Sequence, residues 1–332
     1  MSWKVAITVT GIAEVGEKAV RLLEQAGCKL THAPLSGPFE GDALLNLLEG
    51  CDAVLATTDH YSALVLGSPK LERLKIISRW GVGYDSIDVP AATERGIIIA
   101  YTPGLTDEAV ADFAFALLLG MVRRVAEGHQ SMREGLWLRA WGHDLAGKTL
   151  GILGFGRIGQ AVARRARGFG LQLIACDRRP RPEAAAAGVR MVSFDELLTQ
   201  SDYLSLHAPM VPENRGLIGE QALRKMKPSA FLVNTARGPL VDEAALLRAL
   251  REGWIAGAAL DVYSEEPRPP RHPFRSMPNL LLSPHQASSS RETGERVSLA
   301  AAEAIIDLMQ GRKPKLVLNP EVFDSPALRA RV

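Results

Sequence analysis

The stretch "GKTLGILGFGRIGQAVARRARGFGLQLIACD", Gly147 to Asp177, constrains the fold more than any other part of the chain. A short apolar run, "TLGIL", leads into glycines at 154, 156 and 159, then a helical pattern, then a second apolar run that ends on Asp177. GxGxxG alone is weak, because glycines are common at turns. Strand, glycine turn, helix, strand and terminal acid in this order describe a βαβ unit that binds a dinucleotide. In such a unit Gly154 permits the tight turn, Gly156 lets backbone amides approach a pyrophosphate, and Gly159 lets the helix pack closely on the strand. The amides of the first helical turn then face the phosphate charge. Asp177 accepts hydrogen bonds from ribose hydroxyls and its charge disfavours a 2′-phosphate, which favours NAD over NADP. Arg178, Arg179 and Arg181 oppose that preference, since an arginine can fork onto a 2′-phosphate.

The pattern around this unit predicts an α/β chain of two Rossmann-like domains with parallel sheets, the first discontinuous. "KVAITV", "DAVLATT", "LKIIS" and "GIIIA" read as strands in the first hundred residues, separated by helical patterns such as "EVGEKAVRLLEQAG". Continuous rather than alternating apolar strands point to sheets covered on both faces. After Asp177 the runs "DYLSLH", "AFLVNT", "IAGAALDV" and "NLLLSPH" continue the second series. The closing pattern "ETGERVSLAAAEAIIDLMQGRK" is expected to return to the first domain, giving residues 1–102 with 287–332 a flavodoxin-like fold and 103–286 the nucleotide domain. "TDEAVADFAFALLLGMVRRVAEGHQSMREG" reads as one long helix that starts at Thr106 and bridges the two. The irregular segment after it carries Trp137 and Trp141, which either complete the monomer core or form a subunit interface.

Composition excludes several function classes. With 39 basic and 37 acidic residues the formal charge is +2, too small to draw nucleic acid or a membrane surface by long-range electrostatics. Any anion must be met locally. Cys28, Cys51 and Cys176 have no CxxC spacing and no histidine cluster, so neither a disulfide framework nor a metal site is expected. The apolar run "FAFALLLGMV" is about half a membrane span. These features fit a cytoplasmic chain.

Ligands of an open parallel sheet bind at the carboxyl ends of its strands. Three segments are expected there: "VNTARGPLVD", "ALDVYSEEP" and "SPHQASSS". Histidine is the side-chain type that changes charge near physiological pH, so His285 suits proton transfer in both directions. Arg237 can hold a carboxylate with two parallel hydrogen bonds, which lysine cannot. Glu266 or its neighbour Glu265 could orient the imidazole from its other nitrogen; the pattern alone does not decide between them. Asp261 ends a very apolar run and needs a partner, as a nicotinamide contact or as the lock of a turn.

These residues, together with "RWGVGYDSIDVPAATERGI", "LHAPMVPENRGLI" and "LVNTARGPLVDEAALLRALREGWIAGAALDVYSEEP", make the chain resemble the D-isomer-specific 2-hydroxyacid dehydrogenases over almost its whole length. That family includes phosphoglycerate dehydrogenase and glyoxylate or hydroxypyruvate reductases. The resemblance implies an NAD(H)-dependent oxidoreductase acting on a small 2-hydroxy or 2-keto acid; a homodimer joined through the cofactor domain and the Trp137/Trp141 segment is expected. It gives the substrate arginine to Arg237, the acid beside the histidine to Glu266 and the proton-transferring histidine to His285. Arg157, Ile158, Asp177, Thr235, Ala236 and Asp261 become cofactor positions. Val82 and Gly83 become backbone donors to the substrate carboxylate; a phosphate-bearing substrate would need a further cation, for which Arg79 beside that loop is the obvious candidate from the first domain. Tyr101 and Gln286 depart from the family pattern and bear on substrate choice. Two alternatives accompany this reading: a 3-phosphoglycerate dehydrogenase lacking the regulatory domain, and an NAD(H)-sensing corepressor-like protein, which would leave the Arg237, Glu266 and His285 set without a task.

Overall fold

Short apolar segments become parallel strands here because helices cover both faces of each sheet. The computed structural model describes residues 2–34, 37–267 and 269–332, and they divide into two units, Met1–Thr106 with Ser289–Val332, and Asp107–Ser288. The first unit takes the closing helix Arg291–Met309 from the far end of the chain.

In the first unit β1 (Lys4–Ile7), β2 (Lys29–His32), β3 (Ala53–Ala56), β4 (Ile76–Arg79) and β5 (Ile98–Ala100) form a parallel sheet of order β2-β1-β3-β4-β5. That is the flavodoxin-like order. Helices Glu17–Gln25 and Arg291–Met309 cover one face through Ala19, Leu23, Ala301, Ala302 and Ile305. Gly41–Leu48 and Val89–Glu94 cover the other through Leu44, Leu48, Ala91 and Ala92. Two side-chain bonds fix the returning helix: Ser78 Oγ donates to Ala301 O at 2.8 Å and Trp80 Nε1 to Ser298 Oγ at 2.9 Å. Beyond it, the buried Asn319 accepts from Ile99 N at 2.9 Å.

In the second unit β6 (Thr149–Leu153), β7 (Gln172–Cys176), β8 (Arg190–Met191), β9 (Tyr203–Leu206), β10 (Phe231–Asn234), β11 (Gly257–Leu260) and β12 (Leu280–Leu282) pair in parallel in the order β12-β11-β10-β9-β6-β7-β8. The chain runs outward from β6 to β8, then returns to place β9 on the other side of β6. This reversal is the topological switch point of a Rossmann sheet. Helices Asp107–Val122 and Arg157–Ala166 bury one face, and Phe194–Gln200, Glu220–Lys225 and Glu243–Glu252 the other.

Several expectations need correction. The bridge is not one helix: Asp107–Val122 stops, Arg124 turns left-handed at φ 54°, and a second helix runs Val125–Arg133. The cause is local. His143 N donates to Val122 O at 2.9 Å, so that carbonyl is satisfied from outside the helix, and Gly142 lies so close that a Cβ would sit 2.5 Å from the same oxygen. The helical pattern from Glu14 breaks similarly at Gly16, between Ile12–Val15 and Glu17–Gln25. Strands β2 and β8 have no counterpart among the sequence candidates, because both are mostly exposed edge strands without an apolar run. Trp137 and Trp141 are 74% and 93% exposed, so they do not complete the core of the monomer.

At the switch point β9 is followed directly by His207, whose Nε2 lies 2.8 Å from Ser205 Oγ while its buried Nδ1 has no partner among the described residues. Burial pushes the His207 pKa down from 6.5 to about 3. The folded protein therefore keeps this imidazole neutral where the unfolded chain protonates it, so stability contributed at neutral pH is lost progressively as pH falls below about 6.5 and until it reaches about 3. Urea unfolding between about pH 7.5 and about 4.5 should contain a component approaching ~1.4 kcal/mol per pH unit that His207→Gln lacks. Identical pH slopes in the two proteins would reject the neutral, buried histidine.

Candidate active site on the edge of the second sheet

The glycine loop has the shape the sequence predicts. Gly154 has φ 92°, a left-handed conformation that favours glycine, and a Cβ there would meet Ala208 N at 2.6 Å and His207 C at 2.7 Å. At Gly159 a Cβ would lie 2.2 Å from Gly154 O, so helix and loop touch backbone to backbone. Gly156 has nothing within 4 Å of its Cβ position and caps the helix Arg157–Ala166 without a side-chain bond. The start of this ten-residue helix therefore has no side-chain cap and has open space beside Gly156, which leaves room for an anion at its N-terminus. Arg157 is exposed and Ile158 half-buried at this end.

Asp177 stands at the end of β7, beside that loop. Its Oδ2 accepts from Phe155 N at 2.8 Å and its Oδ1 from Arg179 N at 2.9 Å, while Arg181 Nε approaches Oδ2 at 3.0 Å. Burial pushes its pKa up, but the two backbone donors and the Arg181 guanidinium outweigh burial and hold the carboxyl below its ordinary value. Its charge is therefore partly answered by Arg181, whereas Arg178 and Arg179 are exposed. Asp177 shapes the loop as well as offering an acceptor, a double task that the sequence does not reveal.

The three loops after β10, β11 and β12 lie side by side because their strands do. Leu260 pairs with Asn234 on one side and with Leu282 on the other. After β10, the buried Asn234 accepts from Ala236 N at 3.0 Å through Oδ1 and donates from Nδ2 to Arg237 O at 2.8 Å. This fixes the Arg237 backbone, while Arg237 Nη1 donates to Ala236 O at 2.7 Å. Thr235 Oγ1 is buried and without a partner among the described residues, a polar atom left for a bound group. Gly238 touches the neighbouring loop so closely that a Cβ would sit 1.9 Å from Tyr263 C.

His285 and Glu266 meet: Nδ1 lies 2.6 Å from Glu266 Oε2. The other carboxylate oxygen accepts from Tyr263 N at 2.7 Å, and the Tyr263 hydroxyl donates to Ser283 O at 2.8 Å. Glu266 rather than Glu265 is therefore the partner in the structure, and it is itself anchored. His285 has φ 51°, and its N–H donates to Asp261 O at 2.8 Å. The Asp261 carboxylate, fully buried, accepts from Ser283 Oγ at 2.6 Å, Gln286 N at 3.0 Å and Ala287 N at 2.8 Å.

In the first unit Arg79 is 6% exposed at the end of β4, and Nε donates to Gly83 O at 2.8 Å while Nη1 donates to Trp80 O. Thr102 clasps the same loop, accepting from Gly81 N at 3.0 Å. Arg79 thus organises the loop of Val82 and Gly83 from within, and does not present a solvent-facing cation. His207, Ser205, Tyr263 and Ser283 were not singled out by sequence reasoning. For His207 the available signal was its position at the end of a strand candidate next to the glycine loop.

No group of three or more His, Cys, Asp or Glu side chains among the described residues could hold a metal ion, and no helix among them is long and apolar enough to cross a membrane. The open Gly156 cradle, the uncapped helix start and the orphan atoms of Thr235 and His207 fit a dinucleotide.

Comparison with known proteins agrees with this geometry. A sequence model described as the NAD binding domain of D-isomer specific 2-hydroxyacid dehydrogenase matches residues 115–287. The chain is 46% identical to a glyoxylate reductase of Korarchaeum cryptofilum over 86% of its own length and 88% of the relative's. It is 40% identical to one of Thermofilum pendens over 93% of each. The crystal structure of a glyoxylate reductase from Paecilomyes thermophila has a TM-score of 0.83 and 34% identity, covering 96% of this chain and 99% of that one. With a Rossmann unit matched through almost its whole length and relatives this close along most of the chain, the protein belongs to the D-isomer specific 2-hydroxyacid dehydrogenase family, and its second unit is that family's NAD-binding domain.

Proposed function

We propose that the chain interconverts a small D-2-hydroxy acid and its 2-keto acid with NAD(H), and that glyoxylate and hydroxypyruvate are the keto acids it reduces. The observation that carries this reading is the His285–Glu266 pair, 2.6 Å apart on the sheet edge that also bears Arg237. Glu266 fixes the imidazole through Nδ1 and leaves Nε2 to give a proton to the keto oxygen during reduction and to take it back during oxidation. Arg237 holds the substrate carboxylate through its guanidinium fork. NAD(H), when bound, supplies or accepts the hydride. Gly154, Gly156, Arg157, Ile158 and Gly159 hold its pyrophosphate, Asp177 its ribose, and Thr235 and Ala236 line the adjoining loop. Val82 and Gly83, on the loop that Arg79 organises, are assigned the amide donors for the carboxylate.

Two further assignments accompany this one. A phosphate-bearing substrate asks for a solvent-facing cation, and Arg79 at 6% exposure does not supply it, so the short keto acids that carry no phosphate are favoured over phosphoglycerate. The chain pairs as a homodimer through the segment after Arg133, where Leu136, Trp137, Leu138 and Trp141 are 46%, 74%, 67% and 93% exposed. An apolar strip of that kind is disfavoured in water and suits a partner surface. The three unpaired cysteines are consistent with a reducing, cytoplasmic setting.

Purified protein with NADH should oxidise the cofactor in the presence of glyoxylate or hydroxypyruvate, and His285→Ala should lower turnover by about 10²-fold or more while NADH still binds. No turnover on any short 2-keto acid, or normal turnover in the variant, would reject the assignment. NADH should be preferred to NADPH. Asp177→Ala removes both an acceptor and a charge, with Arg178 and Arg179 left in reach, so it should narrow that preference; initial rates with both cofactors resolve a tenfold change, about 1.4 kcal/mol. An unchanged ratio would move selectivity to another residue. Light scattering should give a dimer for the natural chain and a monomer for the Trp137→Ser, Trp141→Ser double variant, and a monomer in both would remove the interface.

A further inference from the structure

Asp261 lies at the end of β11, one residue past the pair that aligns Leu260 with Leu282. That register sets it beside Ser283, at the start of the turn that carries His285. A carboxylate withdrawn fully from water needs strong compensation. Asp261 finds it entirely in this turn: both oxygens are engaged, by the Ser283 hydroxyl and by the backbone N–H groups of Gln286 and Ala287. Its own carbonyl accepts the His285 N–H. One residue thus binds His285 through its main chain and three of the residues around it through its side chain.

The conformation being held is unfavourable by itself. His285 is one of two non-glycine residues with positive φ among the described residues, at 51°. A side-chain-bearing residue is disfavoured in this region and persists where its surroundings over-determine it. Donors at 286 and 287 converge on one carboxylate only if the chain turns sharply at 285. The grip of Asp261 and the left-handed backbone of His285 are two sides of the same geometry.

We propose that Asp261 is a positioning residue for His285: its buried carboxylate holds the 283–287 turn in the left-handed conformation that brings the imidazole to Glu266, and this, not contact with the cofactor, is its main contribution to turnover. The proposal rests on His285 being the proton-transfer group. Asp261 acts on the reaction chiefly through that ring.

Asp261→Asn tests it with little change in volume. An amide keeps one acceptor but turns an NH2 group toward a backbone N–H or toward the Ser283 hydroxyl, so the turn loosens. The turnover number should fall by about tenfold or more, the NADH dissociation constant, read from fluorescence titration, should stay within about twofold, and the milder Ser283→Ala should shift turnover in the same direction by about threefold. Placing Asp261→Asn in the His285→Ala background is decisive, because residues that act as a unit are non-additive. The double variant should turn over no more slowly than His285→Ala alone. A further loss equal to that in the natural background, or a rise in the NADH dissociation constant matching the loss of turnover, would overturn the proposal and return Asp261 to the cofactor. If His285→Ala alone keeps full turnover, the assigned role of His285 fails first; if it loses turnover while Asp261→Asn does not, only the positioning role fails.

Discussion

Because β10, β11 and β12 pair in parallel, with Asn234 opposite Leu260 and Leu260 opposite Leu282, the chain leaves the sheet at three neighbouring points on one edge. Adjacent strands lie about 4.8 Å apart, so loops that start there can reach each other without long excursions. Arg237, Glu266 and His285 come from segments separated by up to about fifty residues, yet their loops start within this narrow strip. The hydrophobic cores on the two faces fix the strands, and through them the spacing of the chemistry.

What turns that spacing into orientation is a set of buried or half-buried polar residues at the strand ends. Asn234 is bonded to the backbone of the Arg237 loop, Asp261 and Ser283 to each other and to the His285 turn, and Asp177 to the glycine loop through Phe155 N. Each of these side chains would be destabilising if left unpaired inside the protein. Paired with the loop backbone, they make one loop conformation much more stable than its alternatives. The first unit applies the same device with opposite charge: a buried arginine, Arg79, donates to carbonyls of its own loop.

The fold was legible because its determinants are local and repetitive. Apolar runs, helical spacing and glycine turns announced ten of the strands and the glycine loop, and the fingerprint fixed the nucleotide unit. What escaped depended on partners distant in sequence. The break at Arg124 follows from a bond to His143, and β2 and β8 are edge strands that stay mostly exposed and carry no apolar run. At the site, residue types made His285 and Arg237 legible, and Glu266 was separated from Glu265 only by family resemblance. The task of Arg79 was not legible at all, since nothing in "SRWGVGYD" states that its guanidinium turns back onto its own loop.

Asp177 carries the same lesson into electrostatics. Read from sequence, it is a bare negative charge among arginines, and the balance between repelling and attracting a 2′-phosphate looks like a count of side chains. In the folded protein the carboxylate is held by two backbone amides and approached by Arg181, so the arginine that offsets its charge is a neighbour two positions past Arg179, while Arg178 and Arg179 face solvent. Exposed charges are screened strongly and partly buried ones much less. The field at the ribose site therefore depends more on the Asp177–Arg181 pair than on the two exposed arginines, even though all three arginines contribute equally to the formal charge of the chain.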